Sequence, residues 1–191
     1  YTDDLSLLEA AGSKTGVVLA SSHNRKITPP DDLADFAIGI GEDSHKFKTP
    51  NRNCLILGGV KIPHFPALEA DSDGDVVLHA LCNALASALG KGSLGTYATR
   101  MAKRGTKESK KYLQVLQNEM TKQQKNIRHC ALSIEAARPK IDPLAPRIKK
   151  NLSQLLQIPV ERIGITATSG KGLTPFGRGE AIRCAATVVL E

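Results

Sequence analysis

The chain has 191 residues, 41% of them hydrophobic and 4% aromatic, with a net charge of +7 and a pI near 9.3. That length suits one well-buried domain and is short for two complete ones, and no apolar run approaches the ~20 residues needed to span a bilayer. The lack of such a run argues against a membrane span; the basic excess favours an anionic partner, but without Trp and with few aromatics the chain lacks the interleaved stacking residues of a single-strand binder, which argues against nucleic acid.

Thr2 to Glu9 reads as a short capped helix, Thr15 to Leu19 as a strand, and Ile27 to Leu33, with Pro29 and Pro30, as the approach to another helix. Ile38 to Gly41 reads as a strand, and if the extended geometry continues, Asp43 and His45 point to one face and converge on one ion. Cys54 to Ile62 forms a second strand with Gly58-Gly59 as a bend or bulge. The loop around His64, itself read as a loop histidine, leads to the acidic turn Asp71-Ser72-Asp73-Gly74-Asp75. From there Val77, Leu81, Ala84, Leu85 and Ala88 fall at helical spacing, to a stop near Leu89 at Gly90 and Gly92. Asp75 and His79 share one face of this helix. Two readings of Asp73 and Asp75 stay open: capping of the first helical turn, or, for Asp75, a contact behind the metal or with substrate.

Lys107 to Lys125 reads as a helix with the apolar stripe Tyr112, Leu113, Leu116 and Met120, its many basic residues forming a solvated face. Cys130, Leu132 and Ile134 alternate as a strand, Asp142 to Leu156 is a helix opened by Pro143, and Ile163 to Thr168 and Ala181 to Leu190 are strands. Strands separated by helices point to an α/β or α+β layer fold. The four cysteines, at 54, 82, 130 and 184, form no Cys-x-x-Cys pair and fit buried thiols in a reducing, cytosolic setting. One carboxylate and two imidazoles, from Asp43, His45 and His79, leave a fourth position open on a tetrahedral Zn²⁺, as a reactive site requires. An Asp-x-His pair alone is a common chance pattern; its companions give it weight.

Those companions are Leu55 to Pro63 and Ser72-Asp73-Gly74-Asp75 through His79, which with Asp43-Ser44-His45 resemble in order and spacing the 2-C-methyl-D-erythritol 2,4-cyclodiphosphate synthase family. Ala136-Ala137-Arg138-Pro139-Lys140 is similar to that family's cytidine-binding segment, Ala167-Thr168-Ser169 to its phosphate-contacting segment, and Phe176-Gly177-Arg178-Gly179-Glu180 to its C-terminal signature. The resemblance runs from about Phe36 to the end. It implies a mixed β-sheet with helices on one face and a homotrimer with active sites between subunits. It also implies conversion of 4-diphosphocytidyl-2-C-methyl-D-erythritol 2-phosphate to the 2,4-cyclodiphosphate with release of CMP, with Zn²⁺ or another divalent cation on Asp43, His45 and His79. Substrate contacts then fall on Asp43, His45, Asp71, Ser72, Ala136, Pro139, Lys140, Ile141, Thr168, Ser169, Gly170, Lys171 and Arg178, with Ser169 and Asp71 at catalytic positions. Arg178 either binds an anion or pairs with Glu180.

Three departures from the family pattern stand out. Its Mg²⁺ rests on a glutamate where this chain has Lys171, and a protonated lysine cannot ligate the ion, so Mg²⁺ is doubtful and the ammonium is expected to contact the diphosphate instead. A histidine before the acidic turn is replaced by Asp71, and the acidic ribose loop by Gly92 to Arg100, which has no acidic residue. Residues 1–35, which carry Thr2-Asp3-Asp4 and Asn24-x-Lys26-Ile27-Thr28-x-Pro30-x-Asp32-Leu33, resemble the C-terminal end of the cytidylyltransferase that some bacteria fuse to this enzyme. With Tyr1 rather than Met at the start, the expectation is a remnant over 1–35 and a synthase domain over 36–191 of a bifunctional protein. Two other readings are a degenerate zinc-binding oligomerisation scaffold for a fused cytidylyltransferase and an unrelated basic nucleic-acid-binding protein.

Overall fold

The computed structural model describes residues 4–16, 18–19, 36–49 and 54–191. The chain divides into two compact units, 1–34 and 35–191. In the first, α1 (Asp4–Ala10) buries no residue. Thr15, Gly16, Val18 and Leu19 carry no strand, contrary to the expectation from their β-branched residues, and the segment expected to approach a helix at 27–33 lies outside the described residues.

The second unit runs β1 (Ala37–Lys46), β2 (Cys54–Leu57), β3 (Val60–Pro66), α2 (Val76–Ala88), α3 (Gly95–Lys103), α4 (Ser109–Lys122), β4 (Ile127–Glu135), α5 (Ala145–Leu156), β5 (Ile163–Thr168) and β6 (Ala181–Leu190). Its main sheet has the order β1-β6-β4-β5, antiparallel except for the β4/β5 pair, which α5 connects. Along β6 the burial alternates: Ile182, Cys184, Ala186, Val188 and Leu190 point into the helical layer, while the residues between them stay partly open. On β1 the open face carries Ile38 and Ile40, 65% and 69% exposed. The result is the mixed sheet with helices on one face that the sequence led us to expect.

One helix organises the core. Ten of the thirteen residues of α2 are buried, because it lies between β1 and β6 on one side and β2 and α4 on the other. Its Ala80, Ala84 and Ala88 meet Gly39 and Gly41 of β1, where an added Cβ would collide with helix backbone. Small residues on both elements therefore bring the strand and the helix into direct backbone contact. Cys82, Cys130 and Cys184 are buried, Cys54 is half-buried, and all are free; burial pushes the Cys82 and Cys130 thiols up to about 12.

Four local expectations change, the first being that His64, read as a loop histidine, lies within β3. Gly58-Gly59 is the turn of the β2/β3 hairpin rather than a bend in one strand, since both glycines adopt positive φ (58° and 76°). The stretch from Gly92 that reads as a loop contains α3. α4 and α5 begin later than their patterns suggest, at Ser109 and Ala145, so that Pro146 rather than Pro143 lies in the first turn of α5. No helix among the described residues is long and apolar enough to cross a membrane.

Candidate metal centre and phosphate loop

The two-residue repeat of β1 turns Asp43 and His45 toward α2, and the glycine contact just before them sets His79 opposite. Asp43 Oδ2 lies 2.8 Å from His45 Nε2 and 2.8 Å from His79 Nδ1, and the two ring nitrogens are 3.2 Å apart. Ligand atoms on a tetrahedral Zn²⁺ with bonds of ~2.0–2.1 Å are separated by about 3.3 Å, so a slight opening of this triangle fits the ion. These three residues form the group of potential ligands found among the described residues. Burial opposes ionisation of Asp43, but the hydrogen bonds and charges of His45 and His79 outweigh it and pull the carboxyl down to about 2. The Asp43 hydrogen bond raises His45 above its ordinary value against the effect of burial, helped by the Asp43 charge and by the Glu69 backbone.

Asp75 caps α2. Its fully buried carboxylate accepts from Val77 N and Leu78 N at 3.1 Å each, and from Gly58 N and Gly59 N of the hairpin turn. Burial raises its pKa and these N–H donors work against that rise. Of the two readings the sequence left open, capping is the one observed, and the cap also ties α2 to the β2/β3 turn. Asp73 turns the other way, to Ser109 at the start of α4.

A cleft of about 720 Å³ opens beside the triad. Asp71, Ser72, Lys48 and Glu69 line it on one side, and Gly95, Ala98, Thr99 and Ala102 of α3 form another wall. Asp71 is exposed, while Ser72 Oγ stands 3.2 Å from His79 Nε2. The α3 wall is the part of the site that sequence reasoning missed; its small residues at helical spacing were the available signal.

The remaining predicted residues gather elsewhere. Ala136 N donates to Thr168 O and Ala137 N to Phe176 O, each at 3.0 Å, joining the segment from Ala136 to Ile141 to the loop after β5. Pro139, after a cis peptide bond, and Ile141 are buried, whereas Lys140 is exposed. Thr168 is exposed, Ser169 is half-buried, and Gly170 takes a positive φ of 62° where a Cβ would meet Glu135 and the backbone of Gly177. Lys171 is exposed and forms no ion pair among the described residues. Arg178 Nε donates to Glu180 Oε1 at 2.7 Å, the ion-pair alternative for that residue.

No residue of 136–141 or 168–171 lines the cleft. The sheet register says why: Ser44, Arg183, Glu135 and Thr168 sit side by side on β1, β6, β4 and β5. Three inter-strand spacings, roughly 14 Å, therefore separate β1, with Asp43 and His45, from the loop that follows β5.

The YgbB family model matches residues 36–191. The 2-C-methyl-D-erythritol 2,4-cyclodiphosphate synthase of Chlamydia trachomatis serovar L2 is 42% identical over 157 residues, which cover 81% of this chain and 88% of that protein. A solved 2C-methyl-D-erythritol-2,4-cyclodiphosphate synthase in its CDP-bound form superposes with a TM-score of 0.72 at 32% identity, over 81% of this chain and 99% of the other. The bifunctional IspDF from Campylobacter jejuni has a TM-score of 0.72 at 28% identity, covering all of this chain and 54% of its own.

Proposed function

Because the chain belongs to the YgbB family, we propose that it works as its synthase relatives do, cyclising 4-diphosphocytidyl-2-C-methyl-D-erythritol 2-phosphate in non-mevalonate isoprenoid biosynthesis. An oxygen of the 2-phosphate attacks the β-phosphorus, the bond from that phosphorus to the bridging oxygen breaks, and CMP leaves. The reaction brings its own nucleophile, so the protein's task is to fold the substrate, neutralise charge and exclude water. The observation that carries this reading is the 2.8, 2.8 and 3.2 Å triangle of Asp43, His45 and His79.

Asp43, His45 and His79 would hold a zinc ion, which would supply Lewis acidity toward a phosphate oxygen. Asp43, His45 and His79 bind and orient, while Ser72 and Asp71 face the same cleft. Thr168, Ser169 and the backbone of Gly170 offer hydrogen bonds to phosphate oxygens, with Ser169 and Asp71 nearest the chemistry in this assignment. The Lys171 ammonium contributes the charge otherwise supplied by Mg²⁺. Ala136, Pro139, Lys140 and Ile141 hold the cytosine, in keeping with the CDP-bound relative. Arg178 acts first as the partner of Glu180.

The separation of the two half-sites and the exposed Ile38 and Ile40 support a homotrimer in which the metal half of one subunit faces the phosphate half of the next. Residues 1–35 are read as the end of a cytidylyltransferase domain, supported by the match of the whole chain to the Campylobacter protein. The scaffold reading is not favoured, since the relatives that match across 36–191 are synthases.

The test is to follow CMP and cyclic product by phosphorus NMR with zinc, with and without Mg²⁺. Cyclic product lost in His79→Ala supports the assignment, and absence of CMP from zinc-loaded wild-type protein refutes it.

A further inference from the structure

We propose that Ser109 and Asp73 are positioning residues that hold the His79 ring with Nδ1 free to bind the metal, a role that rests on the reading of His79 as a ligand. His79 Nδ1 faces Asp43 Oδ2 at 2.8 Å and His45 Nε2 at 3.2 Å, so it is the nitrogen whose lone pair must meet an ion. A neutral imidazole with a free Nδ1 carries its proton on Nε2, and that proton needs an acceptor. Ser109 Oγ stands 2.9 Å from Nε2.

The direction of the chain is set at its far end. Asp73, as a carboxylate, only accepts, and Ser109 Oγ donates to its Oδ1, which turns the hydroxyl's lone pairs toward His79. Asp73 is in turn held by Ser109 N at 3.0 Å and by Asp75 N at 3.3 Å. Ser109 is fully buried, at the first position of α4, thirty residues from His79 in sequence. A carboxylate, a hydroxyl and an imidazole thus form one oriented line into the metal site. Metal-bound imidazoles depend on such outer partners for tautomer and ring angle.

Asp73 also satisfies the Ser109 N–H at the start of α4, so a purely architectural role must be separated from a positioning one. Ser109→Ala keeps that N–H contact and removes only the hydroxyl; Ser109→Thr restores it. The measurements are zinc affinity by chelator competition, the visible spectrum of the Co²⁺-substituted protein, and the melting temperature of the metal-free protein. We expect Ser109→Ala to weaken zinc binding about 10–100-fold and to shift the Co²⁺ bands, with Ser109→Thr returning both toward wild type. Unchanged affinity and bands in a folded Ser109→Ala protein overturn the proposal. If Ser109→Ala does not fold, proton–nitrogen NMR of the zinc-loaded wild type decides: a slowly exchanging proton on His79 Nε2 supports the line, and a rapidly exchanging one overturns it. A wild type that binds no zinc, or an Asp43→Ala variant that binds it as tightly as wild type, refutes the metal reading itself and the proposal with it.

Discussion

The candidate metal half and the proposed phosphate half of this site are built on opposite principles. Asp43, His45 and His79 project from a strand and a buried helix in backbone contact, and Ser109 meets the His79 imidazole from behind. Thr168 to Lys171 and Lys140 sit on turns after β5 and β4, largely exposed and shaped by backbone hydrogen bonds and one constrained glycine. The difference teaches where substitution is tolerated. A ligand on α2 cannot move without disturbing the core, whereas a side chain on an exposed turn can change its charge at little structural cost. Two of the departures from the family pattern, Asp71 and Lys171, lie at exposed positions of this kind.

The contrast can be broken from the metal side first. His79→Ala removes one of three ligands and should reduce turnover by on the order of 10³-fold or more, with zinc lost on dialysis, as metal analysis and product assay would show. From the phosphate side, Lys171→Ala should reduce turnover about 10–100-fold while leaving zinc affinity unchanged; retained activity with the same Mg²⁺ response would remove Lys171 from the reaction.

Mixing sharpens the comparison further. If each active site joins the metal half of one subunit to the phosphate half of another, refolding His79→Ala with Lys171→Ala in equal amounts restores about one quarter of the sites. Recovery no greater than the sum of the separate variants would mean that both halves come from one chain.

Removing the support beneath the metal half is a matter of stability. Asp75→Ala leaves four N–H groups, three of them on buried residues, without their acceptor and should cost about 3 kcal/mol in urea unfolding, where Lys171→Ala should cost almost nothing.

The smallest expected effect is on pH dependence in the metal-free protein. Asp43 lies below its ordinary 3.8, so its contribution is present above that value and lost as pH falls through about 2. His45 lies above its ordinary 6.5, so its contribution is full below 6.5 and fades as pH rises through the raised value. The melting temperature of wild type over Asp43→Asn should therefore differ most between about pH 4 and 6.5, by a few degrees, and less on either side.

Much of this was written locally. Alternation along Ala181–Leu190, helical spacing after Asp75 and the two-residue interval from Asp43 to His45 are properties of neighbouring residues, and they specified β6, α2 and two ligands. The Gly58-Gly59 turn was also legible, as a pair of glycines between apolar runs, though its hairpin geometry was not inferred. α3 was not, because its helical spacing falls on small residues, Gly95, Ala98, Thr99 and Ala102, a weak signal without the core it packs on.

By itself the sequence determined the types of β1, α2, α4, β4, α5, β5 and β6, the donor set of the triad and the motif order that points to the family. Tertiary structure alone decided that Gly39 and Gly41 admit α2 close enough for His79 to meet Asp43, that Asp75 caps a helix instead of serving the metal, and that Ser109 closes on His79. It also decided that the metal strand and the phosphate loop lie three strands apart. The physical reason is range: periodicity and spacing record which face a residue takes within its own element, whereas close approach between elements depends on the packing of every side chain between them.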